Sequence, residues 1–219
     1  MESKIDYLIC NGGVLLPPAK KENDEIFDKT MAINYYGHCL LIIKLLPLLQ
    51  QQQSRIIIVS SIMHHLCTIR LHDLQLKELY SPIYAYCQSK LALIMFTYRF
   101  NEWIEKNRTN STNAIYLTIN SLHPGICRSD MIEKFCKIIP KFILNSVTRP
   151  VEEGTETILY AALSSKLTNI SGKYLEDCSV QKSSEISYDK NIQQKLWQQT
   201  WHDLRPWLNN DEYNRLMEY

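Results

Sequence analysis

The chain has 219 residues, 45% of them apolar and 21% charged, with 24 Lys and Arg against 23 Asp and Glu. That apolar content is enough for a sizeable core, which excludes disorder and a disulfide miniprotein, and a balanced charge without a dense basic run leaves no electrostatic footprint for nucleic acid. Seven cysteines, an odd number with no C-x-x-C, suit reduced thiols better than a disulfide framework or a zinc site, so no metal is expected.

The N-terminal residues lack the long apolar run of a secretory signal, so the chain is not expected to be secreted. On that reading the N-x-[S/T] triplets at Asn107, Asn110 and Asn169 are chance matches. Ile5 to Cys10 is a predicted strand that closes in Asn11-Gly12-Gly13. From Asp24 to about Leu49 the pattern turns helical, and its apolar half from Tyr35 carries His38, Lys44 and Pro47, which suits a buried helix rather than a bilayer span. Arg55 to Ser61 is apolar on both alternating faces, the signature of a strand covered on both sides in a parallel sheet. A loop with His64, His65 and His72 follows, read as polar residues without suitably spaced carboxylates or thiolates for a metal.

Ile83 to about Lys106 is predicted helix, Ala114 to Leu122 a third strand halted by His123-Pro124-Gly125, residues 151 to 164 an amphipathic helix, and Gly172 to Leu175 a short last strand. The tail from about Asn191 reads as helical up to Pro206. Strands alternating with helices imply an α/β doubly wound (Rossmann-type) parallel sheet, because parallel neighbours need a crossover long enough to hold a helix. A single domain over residues 1–219 is expected, with residues 185–219 as a C-terminal tail.

In such sheets ligands sit at the carboxyl ends of strands, which directs attention to Asn11-Gly12-Gly13, Ser60-Ser61 and His123-Pro124-Gly125. Tyr86-Cys87-Gln88-Ser89-Lys90 is the sole Y-x-x-x-K among thirteen tyrosines. On a helix the two ends of that motif share a face, and an ammonium there favours the phenolate, so the phenol can exchange a proton with an alcohol or carbonyl oxygen. Each residue also has a bland reading: a half-buried tyrosine beside a surface lysine, serines ending a strand, and Asn34 satisfying backbone groups.

The ordered set of Asn11-Gly12-Gly13, Asn34, Ser61, Tyr86, Lys90 and His123-Pro124-Gly125 closely resembles the short-chain dehydrogenase/reductase family over roughly residues 5 to 180. Ser60-Ser61-Ile62-Met63-His64-His65, Ala85 to Ala92 and Gly172-Lys173-Tyr174-Leu175 resemble its retinol dehydrogenase-like branch, and Gln193 to Trp197 leans toward the polyprenol-acting members. The resemblance implies an oxidoreductase that uses NAD or NADP and interconverts an apolar alcohol and aldehyde. Tyr86 would exchange the proton, Lys90 would lower its pKa and hold the ribose, and Ser61 would stabilise the substrate oxygen. Asn34 would hold a water next to Lys90, while Asn11, Gly12, Pro124, Gly125 and Ser129 would line the cofactor. It also implies a substrate flap over residues 130–150, which the residues alone allow equally as core, with Lys134, Lys137 and Lys141 beside it suiting either a membrane surface or a solvated face. A homodimer through residues 25–49 and 83–106, and a place on the cytoplasmic side of the endoplasmic reticulum or a lipid droplet, follow by the same analogy.

The chain departs from the family in two respects. It contains no G-x-x-x-G-x-G or G-x-G-x-x-G, its first strand matches the family's fourth, and so it is expected to be a C-terminal part of the fold lacking the first βαβ units. Cys10 also stands where the family has an amide. Weak dinucleotide binding and impaired turnover are therefore expected, and the alternative is a catalytically silent form that acts as an interaction or regulatory protein through the exposed first strand.

Overall fold

The computed structural model describes residues 4–15, 28–78, 80–109, 117–125 and 151–219. Ser129 and the expected flap at 130–150 lie outside the described residues, as do residues 24–27 at the start of the first expected helix.

Five strands form one sheet in the order β1-β2-β3-β4-β5: β1 Tyr7–Cys10, β2 Ser54–Val59, β3 Leu117–His123, β4 Tyr174–Glu176 and β5 Ser179–Gln181. Neighbours β1 to β4 run parallel, with Ile9 opposite Ile57, Ile58 opposite Ser121 and Ser121 opposite Tyr174. β5 returns antiparallel to β4. That hairpin was not anticipated, because its turn uses Asp177 and Cys178 at positive φ rather than a glycine pair.

The double burial inferred for β2 is what the packing shows. Ile56 and Ile58 belong to the larger core with helices α1 Lys29–Leu49 and α2 Pro82–Thr109, whereas Ile57 and Val59 belong to the core under α3 Val151–Leu163. Helices therefore cover both faces, and the strand ends at one edge stay open for a site. Helix α1 is long and apolar enough to cross a bilayer, but half of that window is buried, and Met31, Tyr35, Ile42 and Leu46 pack into the core.

Ser81 caps α2, its hydroxyl accepting from the Tyr84 amide, with Pro82 at the first helical position where no amide donor is needed. The C-terminal residues pack as two helices, α4 Lys190–Asp203 and α5 Asn210–Met217. Phe96 of α2 stacks on Trp197 of α4, Phe100 meets the same ring at a tilt, and the Trp197 indole donates to the Leu216 carbonyl of α5. Helix α4 stops at Asp203, before the expected Pro206, and α5 was missed although its Asn209 and Glu212 form a reciprocal capping box.

Arg55 ties the two layers together. Its guanidinium donates to the carbonyls of Ala162 and Ser164 at 2.9 and 2.8 Å, satisfying the C-terminal end of α3 from β2. Arg55→Met keeps the aliphatic stem and removes these donors, so urea unfolding should show a loss of about 2 kcal/mol; an unchanged midpoint would show that water replaces the guanidinium without cost.

Candidate active site

Strand β2 delivers Ser60 and Ser61 at its carboxyl end, and helix α2 delivers Tyr86, Ser89 and Lys90 alongside. Two reciprocal bonds lock the pieces together. Ser60 Oγ donates to the Lys90 carbonyl at 2.8 Å, and Lys90 Nζ donates to the Val59 carbonyl at 3.0 Å. Ser61 is extended (φ −154°, ψ 151°) and caps the short 3-10 helix Ile62–Leu66, its hydroxyl accepting from the Met63 amide at 3.3 Å, and that hydroxyl stands close enough to the Tyr86 phenol to lower the phenol's pKa. Lys90 Nζ stands 5.6 Å from the centre of the Tyr86 ring. Serine, tyrosine and lysine thus lie together where the carboxyl end of β2 meets α2.

Electrostatics depart from the expectation in one respect. Burial pushes the Tyr86 phenol above its ordinary value, and the group that pulls it back is Ser61 through its hydrogen bond, not Lys90. Lys90 is itself almost wholly buried, and loss of solvent brings its amine down to about 8. The pair is thus a protonated phenol beside an amine able to change charge near neutral pH.

Asn34 lies in a π-helical turn, Ala32–Tyr36, within α1. Such turns are uncommon and occur often at functional sites. Its amide exchanges two bonds with Val14, accepting from the Val14 amide at 2.8 Å and donating to the Val14 carbonyl at 2.9 Å, and it also donates to Ser89 Oγ at 3.1 Å. Asn34 therefore pins the segment after β1 to α2. The bland reading, satisfaction of backbone groups, describes these bonds, though the groups belong to another segment rather than its own helix.

Gly13 lies between these parts. A Cβ there would stand 3.2 Å from Lys90 Nζ and 3.6 Å from Asn34 Oδ1, so glycine leaves the amine an open side. Asn11 and Gly12 are exposed at the same rim, Pro124 and Gly125 follow β3, and Gly125 takes a φ of +91° that favours glycine. Cys10, in place of the family's amide, is buried, and its thiol is pushed up to about 12.

Sequence reasoning missed two histidines. His38, one helical turn after Asn34, is buried against Gly12, and desolvation together with the Lys90 charge lowers its pKa to about 4. The i, i+4 spacing from Asn34 was the available signal. His64, read as a polar loop residue, is fully buried, and burial lowers its pKa to about 4 as well. Among the described residues no group of His, Cys, Asp and Glu is arranged to hold a metal ion.

Both histidines titrate lower in the folded chain than the ordinary 6.5, so the unfolded chain binds more protons between pH 6.5 and 4. The stability they contribute is complete above pH 6.5 and is lost as the pH falls toward 4, by about 3 kcal/mol for each. Urea midpoints measured across that window should fall steeply, and a flat profile would contradict the burial of both rings.

A short chain dehydrogenase family model matches residues 1–137. Human polyprenol dehydrogenase is 32% identical over 201 residues, covering 88% of this chain and 59% of that protein. Bovine retinol dehydrogenase 12 is 34% identical over 198 residues, covering 90% of this chain and 60% of that protein. The chain therefore spans about three-fifths of the length of these curated relatives. In structure it resembles an uncharacterised protein of Mycobacterium paratuberculosis with a TM-score of 0.71 and 25% identity, over 93% of this chain and 68% of that one. By its sequence match, and in keeping with the doubly wound sheet, the chain belongs to the short chain dehydrogenase family.

Proposed function

We propose that the site interconverts an alcohol and a carbonyl on an apolar, lipid-like substrate of retinoid or polyprenol type, with NAD or NADP. The observation that carries this reading is the Ser61–Tyr86 hydroxyl pair beside the buried Lys90 amine. The relatives named for polyprenol and retinol support the substrate class.

The residues present fit the nicotinamide end of a dinucleotide. Lys90 Nζ donates to the Val59 carbonyl, and the missing Cβ of Gly13 leaves room for a ribose hydroxyl at the amine. Asn11, Gly12, Pro124 and Gly125 would line the same rim, with Ser129 in the role the family resemblance gives it. When bound, the nicotinamide supplies or accepts the hydride. Tyr86 holds the proton that the substrate oxygen takes up on reduction and receives it back on oxidation, and the resting phenol, protonated by burial, is in the donating form. Ser61 offers a second donor where charge develops on that oxygen. Lys90, brought down to about 8, recharges the phenol side of the site near neutral pH.

Dimerisation through α1 and α2 belongs to this proposal, and exposed Ile33, Leu41 and Ile83 on those helices support it. Association with an endoplasmic reticulum or lipid droplet surface belongs to the same proposal and rests on the family resemblance of the sequence alone. A second reading, a silent interaction form, is favoured by β1, which is the sheet edge among the described residues and exposes Tyr7 and Ile9 at 47% and 42%.

Reduction of retinal by the purified chain with excess NADH or NADPH separates the readings. The oxidoreductase reading predicts slow turnover that falls 10²- to 10⁴-fold, on the order of general acid catalysis, in a folded Tyr86→Phe variant. Ser61→Ala should cost on the order of 10²- to 10³-fold. Parent-like turnover in Tyr86→Phe contradicts the assignment, and no turnover in either form supports the silent reading. Because only nicotinamide-side residues are identified, micromolar NADH or NADPH should not raise the melting temperature; a clear rise would overturn that expectation.

A further inference from the structure

His64 was set aside by the metal and loop readings of the sequence, yet it is one of the most constrained side chains near the site. Its Nδ1 lies 2.7 Å from the Ser61 carbonyl, and its Nε2 accepts from the Ser184 amide at 3.0 Å. An acceptor role for Nε2 places the ring proton on Nδ1, so the imidazole donates to Ser61. The Ser61 carbonyl also takes the His64 amide at 3.1 Å, and two donors on one carbonyl fix the orientation of the peptide plane that follows the serine.

The far end of this link is anchored in turn. Ser187 Oγ donates to the Ser184 carbonyl at 2.6 Å and meets Ser183 Oγ at 2.6 Å. Ser183 Oγ meets the Tyr98 hydroxyl at 2.6 Å, and Gln193 of α4 donates to the Ser187 carbonyl at 2.6 Å. Tyr98 stands on α2, the helix that carries Tyr86. The bonds therefore form a closed circuit from the end of β2, through His64 and the 183–188 turn, back to α2. The titratable groups facing the ring are His65 beside it, His123 of β3 and Tyr174 of β4.

We propose that His64 is a positioning residue that holds the Ser61 hydroxyl on the Tyr86 phenol, and that the 183–188 turn is the brace it acts through. This rests on the reading of Ser61 and Tyr86 given above, and it reaches further by making a turn in the C-terminal region part of the site's geometry. A histidine that merely fills space would leave the serine–tyrosine contact unchanged when its polar bonds are removed.

The test reads the Tyr86 ¹³Cζ resonance at pH 7, a reporter of the phenol's hydrogen bond that needs no turnover, with Tyr86→Phe providing the assignment. Ser61→Ala sets the shift for a lost serine bond. Ser184→Pro suits the backbone, since Ser184 already has a φ of −56° that proline adopts, and it replaces the amide donor and the hydroxyl by a ring methylene aimed at Nε2, so the imidazole loses its anchor and is displaced. It should move the resonance in the same direction as Ser61→Ala, as should His64→Leu. His64→Asn keeps a donor where Nδ1 stands and should stay closer to the parent than His64→Leu does. A folded Ser184→Pro variant with the parent resonance overturns the brace, and this single variant decides the matter if His64→Leu does not fold. Imidazole ¹⁵N shifts supply a second check: an Nδ1–H neutral ring at pH 7 is expected, and an Nε2–H ring overturns the proposal. Shifts as expected together with a Tyr86→Phe enzyme of parent activity would leave the brace standing and remove the catalytic reading, so the two fail separately.

Discussion

The candidate site depends on a clasp between the end of β2 and the third turn of α2, in which the Ser60 hydroxyl binds the Lys90 carbonyl while the Lys90 amine binds the Val59 carbonyl. Each residue donates to the other's backbone neighbourhood, so neither the strand tip nor the helix can slide without breaking both bonds. Ser61 follows Ser60 and Tyr86 precedes Lys90 by one turn, so the clasp sets their hydroxyls against one another. Because the bonds run to carbonyls in a dry interior, breaking one leaves a buried polar group unsatisfied, which costs more than the bond itself contributes.

Burial then sorts the titratable groups by the charge they would carry. It raises the phenol of Tyr86 and the thiol of Cys10, lowers the amine of Lys90, and lowers the imidazoles of His38 and His64. All five move toward their neutral forms, as loss of water demands. Only Lys90 ends near physiological pH, which distinguishes it as the group able to change charge there. A cationic ligand or cofactor beside it would alter that balance, and the open side at Gly13 is where such an influence enters.

Much of this was legible because it followed from periodicity and spacing. The run Arg55 to Ser61 announced a doubly covered strand, and Tyr86 to Lys90 placed a phenol and an amine on one helical stripe. The hairpin partner β5 was not legible, since three residues with turn positions at Asp177 and Cys178 leave too short a pattern. Helix α5 carried its capping box in plain view, but eight residues with few apolar positions offered little periodicity. The direction of the Tyr86 shift was misjudged because a charge at helical spacing is visible in sequence whereas depth of burial is not. His64 was misread for a related reason: its partner Ser184 lies 120 residues away, and no local pattern announces a bond of that range.

The clasp makes one numerical demand on the protein. A ¹⁵Nζ NMR titration of Lys90 should show a midpoint near 8, because the amine sits on the Val59 carbonyl away from solvent. A midpoint at the ordinary 10.5 would mean that the amine is hydrated, that the strand and helix are not joined as described, and that the serine and tyrosine hydroxyls are not held together by them.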